Sequence, residues 1–312
     1  SNMSNRREFL KKSTIVAAGA TLTSCAFAAG DPVSKSTAED FKLKYAPHFG
    51  MFTNSAGDDL IDQLKFMHDN GFKAMEDNGM MGRDVSMQKK IGETMSKLGM
   101  EMGVFVVNFD GWPPKSTLAS GDVVWKEKFL KTCREAVEVA KRVNAKHMTV
   151  VPGNFQRDLP MGIQTANVID SLRRGAEILE PHNLTMVLEP LSDNPDLFLR
   201  HSDQTYMICK AVNSPACKIL FDMYHMQRNE GRLTQNIDLT WDEIGYFQIG
   251  DEPGRKEPTS GEINYKFLFK HIHDKAKETG REFIFGMEHG NAFKGKEGEQ
   301  KLIESYRWSD NF

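Results

Sequence analysis

The feature that most constrains this chain is a rhythm. From about residue 41 onward, short β-rich runs alternate with longer amphipathic segments at roughly the 30-residue spacing of a βα unit. The β-rich runs fall at 42–47, 72–76, 101–108, 147–151, 185–189, 218–222, 246–250 and 283–288. Helical spacing is clearest at 124–143, where Phe129, Cys133, Ala136, Val137 and Ala140 recur, and at 59–70, which Gly71 closes. Gly71, Gly99 and Gly280 each follow a helical run and precede a strand, the place of a C-capping glycine. Such alternation predicts a parallel sheet. Eight units predict an α/β fold, a single-domain (β/α)8 TIM barrel over 41–312, in preference to an open doubly wound sheet. No GxGxxG follows the first strand to favour a dinucleotide site.

The first thirty residues differ from the rest. Asn5-Arg6-Arg7-Glu8-Phe9-Leu10-Lys11-Lys12 leads into a weakly apolar stretch, Ser13 to Ala29, which resembles a twin-arginine export signal and is too short and too rich in Gly, Ser and Thr for a membrane span. Two processing sites overlap there. Ala26-Phe27-Ala28 fits cleavage, whereas Leu22-Thr23-Ser24-Cys25 resembles a lipoprotein box with Cys25 as the lipid anchor. Export is therefore expected, to the periplasm or as a membrane-anchored lipoprotein. Ser1-Asn2 reads as a cloning remnant, residues 1–30 as the signal, and polar residues 31–40 as a linker.

Charge and cysteine usage exclude other classes. Lys and Arg alternate with Asp and Glu for a net charge of only -3, so there is no clustered basic surface for nucleic acid, and a small-molecule substrate is expected. Cys25, Cys133, Cys209 and Cys217 form no CxxC pair, against thiolate zinc and redox chemistry. Assembly as a homo-oligomer is compatible with this composition.

Barrel strands should stay apolar until their C-terminal ends, where side chains enter the mouth. Four successive strands do so and then end in Glu189, Asp222, Gln248 and Glu288, separated by 33, 26 and 40 residues, each compatible with one βα unit. A single such residue is commonly a helix N-cap or a surface group. Four in consecutive units are different, because buried carboxylates gathered in one place repel unless a cation neutralises them. Oxygen donors throughout favour Mn2+ or Mg2+, with Zn2+ and Co2+ as alternatives. His225, three residues after Asp222, is expected beside the metal or the substrate. His48 and Glu76 end the first two strands and are expected to line the mouth.

Around these residues the sequence resembles the xylose-isomerase-like barrels, and within them the hydroxypyruvate isomerases. The resemblance is carried by Leu188-Glu189-Pro190-Leu191-Ser192, Phe221-Asp222-Met223-Tyr224-His225-Met226-Gln227, Phe247-Gln248-Ile249-Gly250, Gly254-Arg255-Lys256-Glu257-Pro258, Gly261-Glu262-Ile263-Asn264-Tyr265 and Gly286-Met287-Glu288-His289. It is strong from about 184 to 290 and looser from 41 to 183, where only the rhythm is evident. It implies metal ligands at Glu189, Asp222, Gln248 and Glu288, proton transfer by Glu189 and Glu288, and a substrate-closing loop carrying Arg255 and Glu262. Gln248 favours the isomerases, since ketose 3-epimerase relatives usually place His there.

Isomerisation and epimerisation both begin by removing a proton beside a carbonyl, which a free carboxylate cannot do at neutral pH unless the developing enediolate is stabilised. A divalent metal supplies that stabilisation, while carboxylates on either face of the substrate take and return the proton. The expected function is thus a metal-dependent isomerase of hydroxypyruvate or a similar small keto acid or keto sugar. The alternatives are a ketose 3-epimerase and an exported sugar-binding barrel without catalysis. Arg255 suits a substrate carboxylate.

Overall fold

The computed structural model describes residues 38–312. The export signal, the lipid anchor at Cys25 and residues 31–37 of the linker lie outside the described residues, while 38–40 form neither helix nor strand. Strands β1 (Lys44–Ala46), β2 (Ala74–Met75), β3 (Glu101–Met102), β4 (Phe105–Val106), β5 (His147–Val150), β6 (Thr185–Leu188), β7 (Cys217–Asp222), β8 (Ile244–Ile249) and β9 (Ile284–Met287) alternate with helices. Seven form one parallel sheet in the order β1-β9-β8-β7-β6-β5-β4, and β2 pairs with β3. Glu76 N–H donates to Pro47 O (3.0 Å) and Asp77 N–H to Val104 O (3.1 Å), joining the two sets.

The stave expected at 101–108 is interrupted at Gly103-Val104, so β3 and β4 are two pieces of one stave. A side chain at Gly103 would put its Cβ 2.4 Å from the Tyr246 hydroxyl, which crosses the barrel at the break. The TIM barrel expected from the sequence is present as a single domain, its first three staves built from strands of two or three residues and the others from strands of four to six.

The outer helices bury one apolar stripe each. In the helix Val123–Val143 the inward residues are Phe129, Cys133, Ala136, Val137, Ala140 and Val143, at helical spacing. Asp59 caps the helix Leu60–Asp69 by accepting from the main-chain N–H groups of Ile61 and Asp62. Gly99 and Gly280 end their helices in the left-handed conformation, and Gly71 has φ +89°, as the capping pattern predicts. No helix among the described residues is long and apolar enough to cross a membrane.

Inside the barrel, Ala46, Ala74, Val104, Val187, Leu220, Tyr246 and Ile284 form a separate buried cluster. Side chains on a strand alternate faces, so the residue two positions further on faces the same interior, one layer nearer the mouth. That step leads from Ala46 to His48, Ala74 to Glu76, Val187 to Glu189, Leu220 to Asp222 and Tyr246 to Gln248. On β9 it leads from Ile284 to Gly286 and then Glu288. An apolar plug thus underlies a polar layer built from the strand ends.

Candidate active site

Strand register aligns Asp222 with Gln248 and Gln248 with Gly286, so β7 and β8 deliver their polar ends at one height and Glu288 follows two residues beyond it on β9. Glu189 and Glu288 directly follow β6 and β9. Asp222 and Gln248 are buried, Glu189 nearly so, and Glu288 is partly open to the mouth. Asp222 Oδ1 accepts from the main-chain N–H groups of Tyr224 (2.9 Å) and His225 (3.3 Å), capping the helix Met223–Asn229. Its Oδ2 is buried without a hydrogen-bond partner, as is Oε1 of Gln248. Two orphaned oxygens on adjacent staves, beside further carboxylates, are the donors that a divalent cation takes up and that a structural plug would leave unpaid.

The electrostatics agree. Burial, together with the charges of Asp222 and Glu288, pushes the Glu189 carboxyl well above the usual carboxylate range. Burial also raises Asp222, against the opposing charge of Arg255 and its two main-chain donors. Glu76, fully buried, is raised well above the usual range by burial and by Glu288. A cluster of this kind is poised to exchange protons for a cation. The residues present therefore fit a divalent metal held by oxygen.

Among the described residues, Glu189, Asp222 and His225 offer ligand atoms all within 4.8 Å of one another, which makes His225 a competitor for the ligand role. Its hydrogen bonds decide against it. Arg255 Nη2 lies 3.0 Å from His225 Nε2, and a guanidinium only donates, so the Nε2 lone pair is occupied. On the other side of the ring the Ser192 main-chain N–H points at Nδ1 (3.2 Å), with Ser192 Oγ at 2.8 Å, so both ring nitrogens are taken up by neighbours. Burial first, and then Arg255, holds the His225 pKa down at about 3, so the ring is neutral at pH 7. It stands 3.8 Å from Glu189 Oε1 and 3.7 Å from Asp222 Oδ2, and serves as the relay that fixes Arg255 over the cluster.

Arg255 adopts a left-handed backbone (φ +53°) in a loop held by Asp251, whose carboxylate accepts from the main-chain N–H groups of Gly261 (2.8 Å) and Ile263 (2.9 Å). Its guanidinium reaches Glu288 O (3.1 Å) and lies 3.6 Å from Asp222 Oδ2. Glu262, expected to close over the substrate, is exposed and is not among the residues lining the cavity. The ties from Asp251 to both of its neighbours present its side chain to solvent. His48 does line the cavity, half-buried, with Nε2 3.0 Å from His289 O. The cavity, about 380 Å³, is also lined by Phe49, Glu76, Asn78, Arg83 and Glu288.

Three contacts were not read from the sequence. Asn78 donates to Glu288 Oε1 (3.0 Å), Tyr246 OH donates to Glu76 Oε2 (2.7 Å), and Arg83 clamps Asp77 through Nε (2.6 Å) and Nη2 (3.2 Å). Only Tyr246 carried a signal, as a polar hydroxyl two residues before Gln248 on the same strand face.

His289, buried beside this layer, has Nε2 2.7 Å from the Tyr306 hydroxyl, and burial lowers its pKa to about 3 from 6.5. A histidine kept neutral when folded but protonated when unfolded removes stability as pH falls through 6.5 toward 3. Wild type is expected to lose about 2 kcal/mol more than H289Q between pH 7 and pH 5. Urea unfolding at both pH values measures this, and equal losses would remove His289 from the acid response.

A family model for the xylose isomerase-like TIM barrel matches residues 64–312. The chain is 33% identical over 149 residues to hydroxypyruvate isomerase of Escherichia coli, an alignment covering 47% of this chain and 58% of that protein. It is 24% identical over 236 residues to a putative hydroxypyruvate isomerase of Drosophila melanogaster, covering 74% of this chain and 88% of the relative. Among solved structures, 3-keto-D-glucoside 4-epimerase from E. coli superposes with a TM-score of 0.70 at 18% identity, over 87% of this chain and all of that one, a likeness of fold.

Proposed function

Because this chain belongs to the xylose isomerase-like TIM barrel family, we propose that it is a metal-dependent isomerase of hydroxypyruvate or a similar small keto acid or keto sugar. The observation that carries this reading is the pair of orphaned buried oxygens, Asp222 Oδ2 and Gln248 Oε1, set between the carboxylates of Glu189 and Glu288. These four residues would hold the ion, with Mn2+ or Mg2+ suited to the all-oxygen set. When bound, the ion would neutralise the carboxylates and take up charge developing on the substrate's oxygens. Glu189 and Glu288 follow β6 and β9, on either side of the staves that carry Asp222 and Gln248, so they can address a substrate from two sides. One carboxylate takes the proton next to the carbonyl. The other, protonated at the outset, delivers its proton to the neighbouring carbon while the hydroxyl proton passes to the former carbonyl oxygen, and exchange with solvent restores both carboxyl groups. Asn78 holds Glu288, and Arg255, fixed by His225, is placed to receive a carboxylate or hydroxyl of the substrate.

A ketose 3-epimerase is the second reading, favoured by the size of the cavity: about 380 Å³ lined by polar groups leaves room beyond a three-carbon acid. One experiment serves both. Metal-stripped protein restored with Mn2+ or Mg2+ is followed by NMR for solvent-deuterium exchange into hydroxypyruvate and a panel of ketoses. Exchange only in the restored protein is expected. No exchange with any substrate in the presence of metal would end both readings.

A further inference from the structure

A buried carboxylate takes no part in the function proposed above. Glu76, at the end of β2, is fully enclosed, and its two oxygens lie 3.1 and 3.2 Å from Gln248 Nε2. Tyr246 OH donates to the same group at 2.7 Å. The seat is built by absence as much as by contact. A Cβ on Gly286 would stand 1.9 Å from Glu76 Oε2, and one on Gly103 would stand 2.4 Å from the Tyr246 hydroxyl and 3.1 Å from Glu76 Cβ. Gly103, Tyr246 and Gly286, from three staves, therefore serve to place one carboxylate against one amide.

We propose that Glu76 is a positioning residue that locks the Gln248 amide with its oxygen turned toward the metal. This rests on the metal site proposed above. A primary amide presents an oxygen on one side and an NH2 group on the other, nearly equal in size, and only the oxygen can bind a cation. Nothing in the shape of the barrel distinguishes the two orientations. The paired oxygens of Glu76 do, since they receive the amide's N–H bonds and leave Oε1 buried without a partner. Tyr246 holds the carboxylate in turn. Groups that orient metal ligands in this way commonly change affinity by about 10–100-fold when altered.

The test is Mn2+ affinity, read by EPR of the free ion on metal-stripped protein. Glu76→Gln keeps the shape but can offer either an oxygen or an NH2 group to Gln248, releasing the amide. Its Mn2+ affinity is expected to fall about 10–100-fold, with the metal-free melting temperature equal to or above that of wild type. In a Gln248→Ala background the same change is expected to add no further loss. Unchanged affinity in E76Q, or a full additional loss in the Gln248→Ala background, would overturn the proposal. If E76Q does not fold, Tyr246→Phe decides: removing that hydroxyl is expected to weaken Mn2+ at least about 3-fold, and wild-type affinity would overturn the proposal. Asp222→Asn separates this inference from the one beneath it. Wild-type Mn2+ binding in D222N would remove the metal site itself, whereas loss in D222N beside wild-type affinity in E76Q removes only the role of Glu76.

Discussion

Glu288→Gln is expected to slow exchange of the substrate's proton with solvent by about 10²–10⁴-fold, the range a positioned general base contributes. The change is nearly isosteric. Asn78, which donates to Oε1 of Glu288 at 3.0 Å, can donate equally to an amide oxygen, so the side chain keeps its place. That single oxygen has a second lone pair to offer the metal. What disappears is the capacity to accept a proton from carbon. Glu189→Gln is expected to give a loss of the same order, because the two-sided scheme needs both groups. Deuterium wash-in followed by NMR, with Mn2+ affinity measured in parallel, separates lost basicity from lost metal. Wild-type exchange in Glu288→Gln with the metal bound would remove this residue as a base.

Asp222→Asn is expected to weaken Mn2+ binding by about 10³-fold or more, the largest effect on the ion of any single change here. Asp222 performs two tasks with two oxygens. Oδ1 caps the helix Met223–Asn229, and Oδ2 is the orphan. Asparagine keeps the capping oxygen and sets an NH2 group where Oδ2 stood, so a donor faces the ion in place of an acceptor. The fold should tolerate this well. Burial raises the Asp222 carboxyl above its usual range, which means the ionised form costs stability in the metal-free protein at pH 7. Removing that charge is expected to leave the metal-free melting temperature unchanged or higher, while abolishing the rise that Mn2+ gives wild type. Calorimetric titration and thermal melts with and without Mn2+ check both halves. A D222N protein that melts higher on adding Mn2+, as wild type does, would contradict the assignment.

The second half of the barrel was legible because β6 to β9 are long and apolar up to a polar terminus, and a parallel strand buried on both faces has to look like that. In the first half the runs at 42–47, 72–76, 101–108 and 147–151 located the staves, but not how short the first three are or where the third breaks. β2 and β3 hold only two residues each, and the stave at 101–106 breaks at Gly103-Val104 to let a tyrosine hydroxyl pass. So short a strand leaves little periodic signal. The four strand ends could be aligned by counting βα units, whereas the seat of Glu76 depends on Gly286 and Tyr246, which are near it only in the closed barrel. Glu262 is a different case. Its motif marks the loop correctly, but motif position does not give side-chain direction, and Asp251 turns this segment so that Glu262 faces solvent.

The four oxygen donors and much of the cavity wall sit on different arcs of the ring, with Arg255 joining the wall from the donor side. Glu189, Asp222, Gln248 and Glu288 come from the long staves β6 to β9, while His48, Asn78 and Arg83 come from the loops that follow the brief staves β1 and β2. Little sheet is at stake on that second arc. Apart from Asn78, which holds Glu288, residues of those loops can vary without shifting the register that aligns Asp222 with Gln248. A barrel divided in this way can change its diet while keeping its engine.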